Sequence, residues 1–413
     1  MLSTLVYRSR LRGEITTEQL AALDRQARAD NEARGITGIL LFDGSHCFQL
    51  LEGPEAMVQE VYRRVCADLR HHHVVKLLDD YAPGRKFGQW GMKLFDVRAQ
   101  PPEQADALVR RLVQDTALPA ADRAFKLIRA FASGRWRDHA VAVPDAASWT
   151  FERRPTPFRD AGPQVYSSTA CQFALQPIVD ASTGQVSSLE ALIRSASGGP
   201  PQECFDRIPR DQLHRFDLES KRQAFELAAA VGIGACRLSI NLLPASLVDM
   251  PHAVDHLVEQ IRALGLAPQQ VIVEITEEEA LSHFGAFQAA IKRLRAAGIG
   301  LAIDDFGAGF AGLSLLSKFQ PEKLKIDRMI VTGIHADGPR QAIVKAVVEC
   351  CRSLGITTVA EGVETFDEWC WLRAAGVDLF QGFLVAKPRL NGVADVVWPV
   401  PRRGAAATAA LTP

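Results

Sequence analysis

The chain has 413 residues, of which 47% are hydrophobic, and its formal net charge is -1. Such a length predicts two or three domains, and the apolar fraction excludes a disordered chain. A charge so close to neutrality argues against DNA or an anionic membrane surface as partner.

The eight cysteines form no Cys-x-x-Cys pair, and residues 1–10 carry no secretory signature. No apolar run reaches the length of a membrane span. A soluble cytoplasmic protein is therefore expected.

In chain order, Thr4–Tyr7 has strand character, and Thr16-Thr17-Glu18-Gln19 has the form of a capping box opening a helix to about Arg34. Strands follow at Ile36–Phe42 and Cys47–Leu51, joined by the hairpin signal Asp43-Gly44-Ser45-His46. Met57, Val58, Val61, Tyr62 and Val65 recur at helical spacing within Pro54–Leu69. His71-His72-His73 is read as a solvated turn, after which Val74–Leu78 and Met92–Val97 complete the sheet. The order βαββαββ predicts a ferredoxin-like unit over residues 1–98.

Residues 99–165 are read as a connector. It holds helical patterns at Glu103–Asp115 and Ala120–Phe131, then a linker marked by Pro144, Pro155, Pro157 and Pro163. From 166 to 400 strands and helices alternate. Strand candidates are Phe173–Val179, Ser188–Ile193, Arg237–Asn241, Val271–Ile275, Gly300–Asp304, Lys323–Ile326, Thr357–Ala360 and Leu379–Leu384. Eight strands with helices between them predict a (β/α)8 barrel of the TIM type, so the fold class is α/β throughout. Residues 401–413 are read as a disordered tail.

Several barrel strands carry polar groups at or near their ends. Glu190, Asn241, Glu274, the adjacent pair Asp304-Asp305, Lys325 and Glu361 all follow or close short apolar runs. A single such carboxylate is usually a solvated loop residue. Five carboxylates, an amide and a lysine converging on one barrel face form an oxygen-donor set for hard divalent cations such as magnesium or manganese.

On these residues the C-terminal half resembles the EAL family of cyclic di-GMP phosphodiesterases. The resemblance runs through Gln176-Pro177-Ile178-Val179, Glu190-Ala191-Leu192 with Arg194, Asn241, Glu274-Ile275-Thr276-Glu277, and Asp304-Asp305-Phe306-Gly307. It continues through Lys325-Ile326-Asp327, Glu361-Gly362-Val363-Glu364 and Gln381-Gly382-Phe383-Leu384. It implies hydrolysis of cyclic di-GMP to linear pGpG with two metal ions. Glu190, Asn241, Glu274, Asp304, Asp305 and Glu361 would be ligands, with Asp304 bridging. Lys325, Asp305 and Glu361 would act on water and charge, Glu361 as base. Gln176, Leu192, Arg194 and Gln381 would serve substrate or bound water, and Glu277 and Glu364 would brace the loop at 305–314. The alternative is an EAL protein that binds nucleotide or a partner protein without hydrolysis.

The N-terminal unit resembles the BLUF family of flavin-binding blue-light sensors. The matching residues are Tyr7 with Ser9, Asn31, Gly35-Ile36-Thr37-Gly38, Phe48 to Gly53, Phe87, Trp90 and Met92. This implies a flavin, FAD or FMN, held by Tyr7, Asn31, Gln49, Trp90 and Met92, with Gln49 as the switching amide. Asp30 stands where the family often has a second Asn. The two resemblances together imply a blue-light-regulated phosphodiesterase, acting as a homodimer.

Overall fold

The computed structural model describes residues 2–13, 15–81, 84–88, 91–98, 122–139, 141, 143–144, 148–162, 171–250, 252–278, 284–309, 313–318 and 320–402. Trp90, the predicted helix at 103–115 and residues 403–413 lie outside these. The chain divides into two compact units, Met1–Ala142 with Gly333–Ile343, and Val143–Thr332 with Val344–Pro413.

The first unit runs β1 (Leu2–Leu11), α1 (Thr17–Ala33), β2 (Thr37–Phe42), β3 (His46–Pro54), α2 (Glu55–Ala67), β4 (His71–Tyr81), β5 (Lys93–Asp96) and α3 (Arg123–Ala132). The sheet order is β4-β1-β3-β2-β5, with β5 parallel to β2. At α1 the capping box forms, Gln19 N donating to Thr16 Oγ1 at 3.2 Å and Thr16 N to Gln19 Oε1 at 3.0 Å. Alternation along β1 sends Val6 to one face and Leu5 and Tyr7 to the other.

Each face has its own core. Leu5, Tyr7, Ile36, Leu51, Val58 and Met92 pack on the side of α2. Val6, Ile39, Phe48, Leu50 and Phe87 meet Ala124, Ile128 and Phe131 of α3 on the other. Those three α3 residues lie four and three positions apart, one stripe of a helix whose start is capped by Asp122. Burying Ile128 and Phe131 contributes roughly 1.5–3 kcal/mol each.

His71–His73 do not form a turn. They begin β4, where His71 pairs with Leu11 and His72 with Arg10, and burial lowers the His71 pKa, which favours its uncharged form in the strand. The register shifts between Arg8 and Arg10, and His73 takes φ 49° opposite that bulge.

The second unit contains β7 (Cys171–Asp180), β8 (Gln185–Ser195), α4 (Leu213–Val231), β9 (Arg237–Asn241), α5 (Ala253–Ala263), β10 (Val271–Thr276), α6 (Phe284–Ala296), β11 (Gly300–Phe306), β12 (Lys323–Ile326), α7 (Gly338–Leu354) from Val344 on, β13 (Thr357–Ala360), α8 (Phe366–Ala374) and β14 (Leu379–Phe380), with shorter helical turns between. The strands from β7 to β14 close into an eight-stranded barrel through the β14–β7 pairing, and β15 (Arg389–Leu390) adds outside β7.

The barrel departs from the expected regular (β/α)8 order at one strand. β7 is antiparallel to both β8 and β14. No helix separates β7 from β8; a hairpin at Asp180–Gly184 does, with Asp180 Oδ1 accepting from Ser182 N at 2.8 Å. β14 also ends sooner than expected, at Phe380, because Gly382 adopts φ 154° and its backbone lies against that of Val363.

The predicted proline-bearing linker contains a strand, β6 (Trp149–Arg154), paired antiparallel with β16 (Val396–Pro401). Aromatic and β-branched residues at 149–151 favour it over a coil. Pro401, assigned to the tail by sequence, is its last partner, opposite Trp149.

Candidate functional site

In the second unit the parallel strands are buried on both faces, so their apolar runs fix register and leave the polar groups in layers. Glu274 on β10 pairs across to Asn241 at the end of β9, and Asp304 on β11 lies opposite Thr276. Lys325 on β12 stands at the centre. Its Nζ is 2.6 Å from Glu361 Oε1, 2.8 Å from Glu274 Oε2, 3.1 Å from Asp304 Oδ1 and 3.3 Å from Glu190 Oε2. It is 1% exposed.

Two amides complete the floor. Asn241 Nδ2 donates to Glu190 Oε1 at 2.8 Å, and Gln381 Nε2 donates to Glu190 Oε2 at 2.7 Å and to Gln176 Oε1 at 3.1 Å. Gln176 in turn donates to the Ala386 carbonyl at 3.0 Å.

The charges are uneven. Burial pushes the Glu190 carboxyl up, but Lys325, Gln381 and Asn241 outweigh it, and its pKa lies below the usual range. Burial also pushes Glu274 up; Lys325 opposes this, Glu190 and Asp304 reinforce it, and the result is about 8. Burial, Asp304 and Asp327 raise Asp305 to about 6. Glu361 is raised by burial, despite its short contact with Lys325. The ammonium itself is held charged, since the carboxylates around it overcome its desolvation.

Two triads of carboxylate oxygens lie within 4.8 Å of one another, Glu190 with Glu274 and Asp304, and Asp304 with Asp305 and Glu361. Asp304 is common to both. Glu274 Oε1 and Gln381 Oε1 are buried with no hydrogen-bond partner among the described residues. Once all five carboxyls have lost their protons, they would leave four excess negative charges beside the one ammonium, which two divalent cations would neutralise. The donor set is all oxygen, as hard cations require, so the residues fit two such ions.

At the end of β11 the chain turns sharply, with Asp305 at φ 53° and Gly307 at φ 99°. A non-glycine residue there costs on the order of 1–3 kcal/mol. Glu277 holds the turn, its Oε2 accepting from Gly307 N at 2.8 Å. Among the described residues Glu364 makes no contact with this turn; its side chain is exposed and its backbone N–H donates to Glu368 Oε2 at 3.1 Å.

Arg194 is half-buried and donates to the Ile193 carbonyl, and Leu192 is half-buried on the same strand. Asp327, given no role by sequence reasoning, faces the Asp305 carboxyl. The signal was its place two residues after Lys325.

In the first unit a cavity of about 230 Å³ opens between α1, α2 and the sheet. Leu20, Leu23, Leu40, Val61 and Val65 give it apolar walls, and Tyr7, Asn31 and Gln49 give it polar atoms. The Tyr7 hydroxyl donates to Gln49 Oε1, and Gln49 Nε2 lies 3.5 Å from Met92 Sδ. Asn31 Nδ2 reaches the Gly91 carbonyl at 3.4 Å. Burial raises the Tyr7 phenol well above its ordinary pKa.

An apolar slot with two amides and a phenol fits the flat ring of a flavin with a polar edge. Its mouth carries Asp30, which lies 3.8 Å from Arg34 and 3.7 Å from Arg64. His71 lines the slot, with Nδ1 2.8 Å from Ser9 Oγ. Beneath it Glu52 accepts from Lys86 N and Phe87 N, each at 2.9 Å, and so ties the segment before Met92 to β3.

Comparison with known proteins gives two family matches, "EAL domain" over residues 164–388 and "Sensors of blue-light using FAD" over residues 2–93. The blue light- and temperature-regulated antirepressor BluF of Escherichia coli (strain K12) is 42% identical over 408 residues, covering 97% of this chain and 99% of that protein. The probable cyclic di-GMP phosphodiesterase PdeN of the same organism is 32% identical over 225 residues, 52% of this chain and 43% of that one. Klebsiella pneumoniae BlrP1 in a manganese/cy-diGMP complex matches with TM-score 0.90 and 45% identity, over 97% of this chain and 100% of that chain. The same protein with FMN and cyclic diGMP, without metal ions, matches with TM-score 0.84 and 41% identity over the same shares.

Proposed function

Because this chain belongs to the EAL domain family and carries a BLUF sensor domain, we propose that it is a blue-light-regulated phosphodiesterase opening cyclic di-GMP to linear pGpG. One observation carries the catalytic half of this reading. Two carboxylate triads share Asp304 around the Lys325 ammonium.

Glu190, Asn241, Glu274 and Asp304 would hold one divalent ion, and Asp304, Asp305 and Glu361 the other, either magnesium or manganese. Bound there, the two ions supply activation of a water and neutralisation of charge on the phosphodiester. Glu361, whose Oε1 lies 2.6 Å from Lys325 Nζ, would be the base that accepts the proton of the attacking water. Lys325 stays charged and offsets negative charge as it develops. Gln381 and Gln176 fix the Glu190 side of the floor, while Arg194 and Leu192 border the substrate. Glu277 holds the turn that presents Asp305.

In the sensor, a flavin (FAD or FMN) in the slot supplies blue-light absorption. Tyr7 donates its hydroxyl hydrogen to Gln49, and Gln49 turns its amide between Tyr7 and Met92, biasing the strand end that carries Met92. Light alters turnover only if the two states of Gln49 differ in free energy of coupling to the barrel. We take the active form as a homodimer, with blue light raising turnover.

The test is hydrolysis of cyclic di-GMP to pGpG in the dark and under blue light, with manganese and with EDTA. Turnover without metal, or none with it, sinks the catalytic reading. A second reading has one observation in its favour, the antirepressor name of the BluF relative. In it the barrel binds nucleotide or a partner protein without hydrolysis, and an inactive but nucleotide-binding barrel in that assay would support it.

A further inference from the structure

Helix α2 presents two adjacent stripes of side chains. Val61 and Val65 line the slot. Tyr62 and Cys66 each come one residue later, a rotation of about 100°. The Tyr62 ring lies 5.7 Å from the Tyr7 ring, inclined at 55°. Tyr62 and Cys66 are four residues apart, so they lie on one face of the helix. Exposure rises along this line. Tyr7 is 2% exposed, Tyr62 is half-buried and Cys66 is exposed.

Two neighbouring rings in a core are ordinarily packing. Packing alone would be served as well by phenylalanine and would need no thiol one helical turn beyond the second phenol. What stands here is an ordered series of oxidisable groups, phenol, phenol and thiol. It starts at the hydroxyl that binds Gln49 and ends in solvent.

We infer that Tyr62 and Cys66 form a route by which a small thiol in solution reduces the slot's flavin under sustained blue light. This rests on the reading of the slot as a flavin site. Tyr7 gives one electron to the photoexcited flavin, and its phenolic proton follows through Gln49. Tyr62 returns one electron and one proton to Tyr7. The Cys66 S–H bond breaks and restores the Tyr62 O–H bond. A solution thiol then gives a hydrogen atom to Cys66. After a second pass, the two thiol radicals join as a disulfide. Two thiols are thereby oxidised, and the flavin gains two electrons and two protons. The barrel takes no part, so this is a separate light-driven activity of the sensor.

The test uses the full chain with its flavin, dithiothreitol as the thiol, no oxygen and continuous blue light. Absorbance of the oxidised flavin is followed with time. The wild type should bleach and regain its colour in air. Tyr62→Phe and Cys66→Ser should each slow the bleaching several-fold. Both variants should keep the reversible red shift after a brief flash, because Tyr7 and Gln49 are untouched. Bleaching of both variants at the wild-type rate, or no bleaching of the wild type, overturns the route. Absence of flavin before any illumination would instead overturn the slot assignment, and the starting spectrum reads that separately. If Tyr62→Phe fails to fold, Cys66→Ser at the exposed end still decides.

Discussion

Replacing Lys325 with methionine isolates the electrostatic logic of the barrel site. Methionine keeps most of the volume and removes the ammonium that lies 2.6–3.3 Å from four carboxylates. Leaving buried charges without their partner costs about 3–5 kcal/mol. For a unit of this size that is a fall in Tm of about 6–20 °C. The fall should depend on pH. With the lysine present, Glu274 is already raised to about 8 from an ordinary 4.5, so its folded form holds a proton that its unfolded form releases. Stability from such a group is full below the ordinary value and is lost as pH rises through the folded one. Without Lys325 the carboxyls rise further, so the deficit in EDTA should be small near pH 5 and grow through pH 8. Manganese should then raise the variant's Tm by more than the wild type's, since the ions take over the missing positive charge; at a hundredfold excess over Kd, binding contributes about 2.7 kcal/mol. Differential scanning calorimetry in EDTA and in manganese, at both ends of that pH range, reads all of this. An unchanged Tm in EDTA at pH 8 would refute the argument.

Four further outcomes follow from the geometry. Glu190→Ala should abolish hydrolysis and lower the manganese stoichiometry by one in calorimetric titration, whereas Asp304→Asn, at the shared position, should weaken both ions. Manganese affinity should rise between about pH 6 and pH 8, because Asp305 near 6 and Glu274 near 8 must lose their protons to bind; a flat profile would contradict the raised carboxyls. Lys323→Met should stabilise the barrel by about 1–2 kcal/mol at pH 7, because burial lowers the Lys323 ammonium to about 8 while its Nζ has Ser188 Oγ at 2.8 Å as partner; that gain should shrink as pH rises above 8, where the wild-type amine sheds its proton. Gln49→Leu should bind flavin and lose the reversible red shift, read by difference spectroscopy.

Residues that act through local period were legible in the chain. The capping box at Thr16, the stripe on α2 and the polar groups closing apolar strands are set within a few positions of one another, and sequence shows such spacing directly. The direction of β7 was not legible, since Asp180–Gly184 looks the same whether it leads to a helix or to a hairpin partner. The pairing of β6 with β16 joins segments at 149–154 and 396–401, and no local pattern reports a contact across that separation. Glu277 and Glu364 show the limit at the site. Each follows a metal-ligand candidate by three residues, yet only Glu277 reaches the Gly307 amide. Spacing from a strand end gives proximity to the mouth, while the rotamer and the following turn decide the contact. Asp327 went without a role for the converse reason, because its approach to Asp305 depends on the φ of 53° there.

The ribbon of β6 and β16 makes the barrel's boundary a matter of space and not of chain position. Trp149 meets Trp369 edge-on at 5.1 Å and lies under Arg373, and Phe151 meets Phe366 at 4.8 Å. Val396 and Trp398 are buried on the opposite strand. A fragment begun at residue 164, where the matched family starts, would retain β16 and lack its partner. An apolar strand with unpaired amides and carbonyls would then be open to any other chain, a template for self-association. Anyone grafting a different sensor onto this barrel should therefore place the junction ahead of Ser148, and a catalytic fragment that includes residues 148–154 should stay dispersed where the shorter one precipitates.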